Sequence, residues 1–356
     1  MTTTKLNIYN YSLDLLKDYF VAQGYPSYRA TQVIKWLHQD FVKDFNHMTN
    51  ISKKLREDLA NKFITPELNC SAEHISKDGT IKWLFKVDVK NQVETVFIPE
   101  KNRGTLCISS QAGCALACKF CATGMQGFSH NLNTAEIIGQ LRYATERLAT
   151  IAPTRKITNI VMMGMGEPLL NMKNLTPALA LMLDDHAYGL SKYRVTVSTS
   201  GIVPAMEKLS EISPVSLAVS LHAPNDKLRD NLVPINKKYN LKKLIKCCQS
   251  YFEKQPKRKI TIEYIMINNV NDSIENAHEL TKILKSINCK INLIPYNSIP
   301  DVDYEPSSSK NIDIFRTILE KKGFQTTVRK NRGDDIAAAC GQLAGDIKNR
   351  LATIKN

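Results

Sequence analysis

A chain of 356 residues with 43% hydrophobic content can bury a substantial core, and its length suggests one large domain with an appendage. Lys and Arg number 48 against 34 Asp and Glu, a formal charge of +14, which favours a polyanionic partner over a neutral metabolite. Nine cysteines, four of them crowded between Cys107 and Cys121, argue against a secreted disulfide framework and for a reducing compartment with a metal or redox site.

The opening residues lead into no long apolar segment, and no later stretch has the length to cross a bilayer, so a soluble, cytoplasmic chain without a membrane partner is expected. The first 65 or so residues read as short helices. Apolar stripes run through Leu15, Leu16 and Phe20, and through Val33, Trp36, Leu37 and Phe41. Lys17, Arg29, Lys35, Lys53, Lys54 and Arg56 fall on the exposed faces, which makes residues 1–72 a candidate docking domain for phosphates. After the turn signal Lys77-Asp78-Gly79, apolar residues alternate through Ile81, Trp83, Phe85 and Val87, and a second β-rich run spans residues 93–98. Residues 73–100 are therefore read as a β-hairpin linker.

From residue 105 the pattern changes to strand-like runs alternating with amphipathic helices. The strand candidates are residues 105–110, 159–163, 195–200, 215–221, 260–266 and 291–295. The first intervening helix begins with an Asn133 cap and Glu136 three residues on, followed by Ile137, Ile138, Leu141 and Leu148 on one face. Six successive βα units predict an α/β fold, a partial (β/α)6 barrel of the TIM type over residues 101–331, with a small N-terminal helical domain and the hairpin as additions. In such a barrel the catalytic groups gather at the C-terminal ends of the strands.

Gln111-Ala-Gly-Cys114-Ala-Leu-Ala-Cys118-Lys-Phe-Cys121 lies directly after the first of these strands. Cysteine thiolates suit iron–sulfur clusters and zinc, but closed zinc sites want four ligands in two separated pairs, and no fourth ligand follows here at comparable spacing. Three thiolates on a four-iron cluster leave one iron open to a chelating amino acid. Gly164-Met-Gly166-Glu167-Pro168 follows the second strand, where glycines allow a ligand close to the backbone and Glu167 can take a cation.

The C-x3-C-x2-C spacing resembles the radical S-adenosylmethionine superfamily, in which a 4Fe-4S cluster held by Cys114, Cys118 and Cys121 reductively cleaves the cofactor to a deoxyadenosyl radical. Arg103-Gly-Thr-Leu-Cys107-Ile-Ser-Ser-Gln111, the cluster motif, Leu232-Val-Pro-Ile-Asn-Lys-Lys238 and Arg332-Gly-Asp-Asp-Ile-Ala-Ala-Ala-Cys340-Gly-Gln-Leu together resemble the RlmN/Cfr family of RNA methyltransferases over nearly the whole chain. The resemblance implies S-adenosylmethionine contacts at Gly166, Glu167, Ser198, Ser220, Leu221, His222 and Asn297. It further implies that Cys340 is methylated by one S-adenosylmethionine, that a radical from a second activates that methyl group for addition to adenine, and that Cys107 then attacks the Cys340 sulfur, leaving a transient disulfide. Glu94, in Val93-Glu-Thr-Val-Phe-Ile-Pro99, matches the family's proton acceptor.

By the same resemblance the partners are 23S rRNA and tRNA, with a reducing electron donor such as flavodoxin, and the protein acts as a monomer that methylates C2 of adenine. The sequence leaves open the family's other regiochemistry, C8, and an RNA-binding protein with a structural cluster. Residues 1–72 then become an RNA-docking domain and residues 332–356 the segment that carries Cys340. One departure is His130, where many relatives carry arginine.

Overall fold

The computed structural model describes residues 4–344, so residues 345–356 of the expected C-terminal segment lie outside the described residues. Its centre is a ten-stranded sheet with two halves. Seven strands run parallel and in chain order: Gly104–Cys107, Asn159–Met162, Val195–Thr199, Ser216–Ser220, Ile260–Met266, Cys289–Pro295 and Gln325–Val328. The first six answer to the six expected strands. Gln325–Val328 went unread because it is a half-exposed edge strand, Gln-Thr-Thr-Val, with no apolar run to betray it.

On the other side of Gly104–Cys107 the sheet continues antiparallel through Gln92–Pro99, Ile81–Lys86 and Asn69–Ile75. The expected hairpin is therefore a three-stranded meander, hydrogen-bonded into the main sheet. Ile81, Trp83 and Phe85 point to one face, where Trp83 and Phe85 meet Tyr143 edge-on at ring-centroid distances of 6.1 and 5.0 Å. Tyr143 belongs to the helix Thr134–Ile151, which buries Ile137, Ile138, Leu141 and Leu148 as its sequence pattern requires. That helix starts with a reciprocal cap: Glu136 N–H donates to Asn133 Oδ1 at 3.0 Å, and Asn133 N–H donates to Glu136 Oε2 at 2.8 Å.

The N-terminal helices are Leu13–Ala22, Tyr28–His38 and Lys53–Lys62. Two residues leave the stripes expected of them. Leu15 is 44% exposed, because adjacent residues on a helix diverge by about 100° and the buried row is Leu13, Leu16 and Phe20. Phe41 lies beyond the second helix with φ +52, and its carbonyl accepts from Arg142 Nη2 at 2.9 Å. Arg142 also lies over the Tyr9 ring at 4.7 Å, so one buried guanidinium joins the N-terminal helices to the helix that backs the sheet. Among the described residues no helix is long and apolar enough to cross a membrane.

Replacing the cap residue isolates its contribution to the helix behind the meander. Asn133→Ala leaves the N–H of Glu136 without its side-chain acceptor and is expected to lower unfolding free energy by about 1 kcal/mol, read as a lower urea midpoint at unchanged slope.

Candidate active site

The C-terminal ends of the parallel strands open on a cavity. Cys114, Cys118 and Cys121 line one wall. They arrive there on a tight loop whose entry requires Gly113: it has φ +73, and a Cβ on it would stand 1.9 Å from the Gly127 carbonyl oxygen. Ala117, between the first two cysteines, is also left-handed at φ +52.

Burial pushes all three thiols upward, Cys114 to about 12, and in Cys118 the charges of Cys121 and Cys114 add to that burial. Among the described residues no three of His, Cys, Asp and Glu stand close enough to enclose a single metal ion. Three thiols carried on one loop and lining one cavity are a donor set that fits a four-iron cluster.

Gly164, Gly166, Glu167, Ser198, Ser220 and His222 line the same cavity. Gly166 has φ +95 and a Cβ there would meet Gln111 Cβ at 2.4 Å, so the close packing of this turn on Gln111 calls for glycine. Glu167 is buried, and its carboxyl is raised to about 7 by that burial, against the pull of backbone N–H groups of Ser200 and Leu169. Those N–H groups donate to its two oxygens at 2.8 and 3.1 Å, leaving further lone pairs for a ligand cation. His222 Nδ1 accepts from the Ile265 N–H at 3.1 Å, and burial lowers the ring to about 3. The imidazole is therefore neutral with its proton on Nε2, a donor on the cavity wall.

Four residues expected at the site do not line this cavity. Leu221 is fully buried and serves through its backbone, its carbonyl accepting from Arg229 Nε at 3.0 Å. Asn297 donates from Nδ2 to the Cys340 carbonyl at 3.0 Å and so holds the C-terminal segment. Cys107 and Glu94 lie beside the cavity on one sheet face: Val96 pairs with Cys107 and Leu84 with Glu94, so alternation turns Cys107, Val96, Glu94 and Lys82 the same way. Burial raises the Cys107 thiol to about 12, the neighbouring Cys340 adds to this, and Arg329 opposes it.

Cys340 does line the cavity, a fourth thiol that spacing along the chain did not foretell. Arg329 stands beside it, close enough for its charge to be coupled to the Cys340 sulfur, and lies 3.7 Å from Glu263 Oε1. All nine cysteines are free thiols, so the pairing of Cys107 with Cys340 is not formed in this state. His130, in place of the usual arginine, pairs with Asp88 at 3.4 Å on the meander.

Sequence reasoning missed Glu263, Arg329 and Arg229. Glu263 carried a readable signal, a carboxylate in the otherwise apolar Ile260–Met266 strand. Arg229 is fully buried and binds four acceptors, among them the Ser200 and Ser220 carbonyls at 2.7 and 3.2 Å, so it spaces the two strand ends that carry Ser198 and Ser220.

Comparison with known proteins follows these geometric lines. Residues 6–64 match the model of the ribosomal RNA large subunit methyltransferase N-terminal domain, and residues 108–281 match the radical SAM superfamily. A radical SAM methyltransferase from Sphaerobacter thermophilus is 41% identical, with a TM-score of 0.88 over 96% of this chain and 100% of that one. Streptococcus suis SuiB bound to S-adenosylmethionine is 13% identical, covering 65% of this chain and 52% of that chain at a TM-score of 0.47.

The buried Glu167 carboxyl has a consequence for the ligand-free protein. Its folded value, about 7, exceeds the ordinary 4.5, so its contribution to stability is complete below pH 4.5 and is lost as pH rises to about 7. Relative to wild type, Glu167→Gln should gain on the order of 2–3 kcal/mol between pH 4.5 and pH 8 in parallel urea titrations. A pH-independent difference would place the carboxylate in a polar environment.

Proposed function

Because this chain belongs to the RlmN-type family of radical S-adenosylmethionine methyltransferases, we propose that it methylates C2 of adenine in 23S rRNA and tRNA by way of a methyl group carried on Cys340. The observation that carries this reading is the meeting of Cys340 with Cys107 and Arg329 at the edge of the cavity that Cys114, Cys118 and Cys121 line. A structural cluster would give no reason for two further thiols there. When bound on those three cysteines, the reduced cluster supplies the electron that turns S-adenosylmethionine into a radical source able to activate an inert methyl group.

The chain's own residues do the rest. Gly166, Glu167, Ser198, Ser220 and His222 bind S-adenosylmethionine, with the Glu167 carboxylate receiving its amino group and the Nε2–H of His222 donating to it. Arg229, through Leu221, and Asn297, through the Cys340 carbonyl, hold the walls. Cys340 accepts a methyl group and presents it to adenine, whose C2–H is not acidic enough for polar chemistry. Once the carbon radical joins C2, Glu94 takes the ring proton and one electron leaves, for which the oxidised cluster that Cys114, Cys118 and Cys121 would hold is the acceptor, so that a closed-shell thioether joins Cys340 to the base. Cys107 then attacks the Cys340 sulfur: an S–S bond forms, the S–C bond breaks, and its electron pair enters the adenine, which is protonated as the methyl group is completed.

The raised thiol of Cys107 means that this attack needs a charge-stabilised thiolate, and Arg329 is the cation beside it. The basic residues Lys35, Lys53, Lys54 and Arg56 of the N-terminal helices supply phosphate contacts to the RNA. A reducing electron donor, a cytoplasmic location and action as a monomer complete the proposal.

Cys118→Ala removes one of three ligands, so bound iron and deoxyadenosine release should collapse together; an iron-replete, active variant overturns the cluster assignment. Cys107→Ala should stall after attachment and leave the protein covalently joined to RNA through Cys340, whereas Cys340→Ala and the double variant should carry none. Mass spectrometry of the purified variants reads the adduct, and digestion of the product RNA to nucleosides separates 2-methyl- from 8-methyladenosine. No adduct on Cys340 in Cys107→Ala refutes the division of labour between the two thiols.

A further inference from the structure

Lysine is almost never buried unless something compensates its charge. Among the described residues Lys82 is the one lysine with a buried side chain. It lies on Ile81–Lys86, on the sheet face shared by Glu94 and Cys107. Its Nζ stands 3.5 Å from Glu94 Oε1, with the two side chains 9% and 5% exposed, and donates at 3.1 Å to the carbonyl of Ala337. Ala337 is three residues before Cys340 and sits in a left-handed conformation, φ +48, at the end of a short turn.

The rest of the turn before Ile81 grips the same segment. Ser76 Oγ donates to Asp335 Oδ1 at 2.6 Å, Lys77 N–H to Asp335 Oδ2 at 3.2 Å, and Gly333 N–H to Asp78 Oδ2 at 3.2 Å. Beyond Cys340 the segment is held by the cluster loop, where the Ala122 N–H donates to the Gly341 carbonyl at 2.8 Å. Cys340 is thus suspended between the meander and the cluster loop, and Lys82 is the point where the meander side of that suspension touches the Glu94 carboxylate.

We propose that Lys82 is a positioning residue that holds the Glu94 carboxylate and the Cys340-bearing segment in one frame, so that the proton acceptor and the methyl carrier meet the same adenine. This deepens the reading of Glu94 as proton acceptor and rests on it. A fixed ammonium can do this where a neutral donor cannot, because it binds one partner by charge and the other by a directional hydrogen bond. Without it, the carboxylate loses this ion pair and, among the described residues, the segment loses its side-chain tie at Ala337.

The test is a double-mutant cycle on the reconstituted holoenzyme with RNA substrate. Lys82→Met should lower kcat by about ten-fold or more, with KM for RNA little changed. Amide exchange over residues 333–343 should quicken by about ten-fold in Lys82→Met and stay at the wild-type rate in Glu94→Gln. Lys82→Arg should restore part of the rate. Since a lone buried carboxylate can disturb folding, the double variant Lys82→Met/Glu94→Gln, neutral at both positions, closes the cycle. It should be slower than Glu94→Gln alone, through the loosened Cys340 segment, but by less than the full factor that Lys82→Met costs the wild type. Multiplicative losses, or unaltered exchange in Lys82→Met, overturn the proposal. Full activity of Glu94→Gln with quickened exchange in Lys82→Met instead overturns the role of Glu94 and leaves the clasp on the segment standing.

Discussion

The pairing of Gln92–Pro99 with Gly104–Cys107 is the constraint on which the candidate site depends. It joins an antiparallel meander to a parallel sheet and decides which face of the meander looks toward the cavity. Side chains alternate along a strand, so a slip of one residue would turn Glu94 and Lys82 into the layer packed on helix Thr134–Ile151 and bring Trp83 and Phe85 out of it. The alternative is strongly opposed, because Trp83 and Phe85 are fully buried against Tyr143 and two charged side chains would take their place. Hydrophobic packing on one face thereby orders the chemistry on the other.

The same division of labour recurs around the cavity. Apolar strands bring their C-terminal ends together, and a few buried polar groups set the spacing at the rim. Arg229 does so with its own hydrogen bonds to strand-end carbonyls, and a cation so fully enclosed is lowered to about 10 by burial yet stays charged at neutral pH. His222 reaches its neutral tautomer because a strand N–H occupies Nδ1. Glu167 is kept from solvent while two backbone donors hold its oxygens. Each group is set by the end of a rigid strand, which is how a parallel sheet offers several differently tuned side chains to one ligand.

The Cys340 segment is of another kind. It has little regular structure and is tied by hydrogen bonds to the meander, to the loop of Asn297 and to the cluster loop, with few large apolar side chains of its own. Such a segment can be held accurately and still be released at moderate cost, which suits the carrier role proposed for Cys340.

Much of this was legible along the chain. The cluster spacing, the Gly-Glu-Pro turn, the Asn133 cap and six of the seven parallel strands are local patterns, set by periodicity, turn chemistry and ligand spacing within a few residues. The edge strand Gln325–Val328 and the meander's first strand, Asn69–Ile75, escaped because half-exposed strands carry no such pattern. What the sequence determined by itself was therefore the succession of parallel βα units, the three-cysteine loop and, through resemblance, which two further cysteines to propose as mechanistic. Only the tertiary structure decided that Cys340 lies at Arg329 and Cys107, that Glu94 is paired with a buried lysine, and that Glu263 faces the cavity. These contacts join residues far apart in the chain, and they depend on strand register and on burial, which no local pattern encodes.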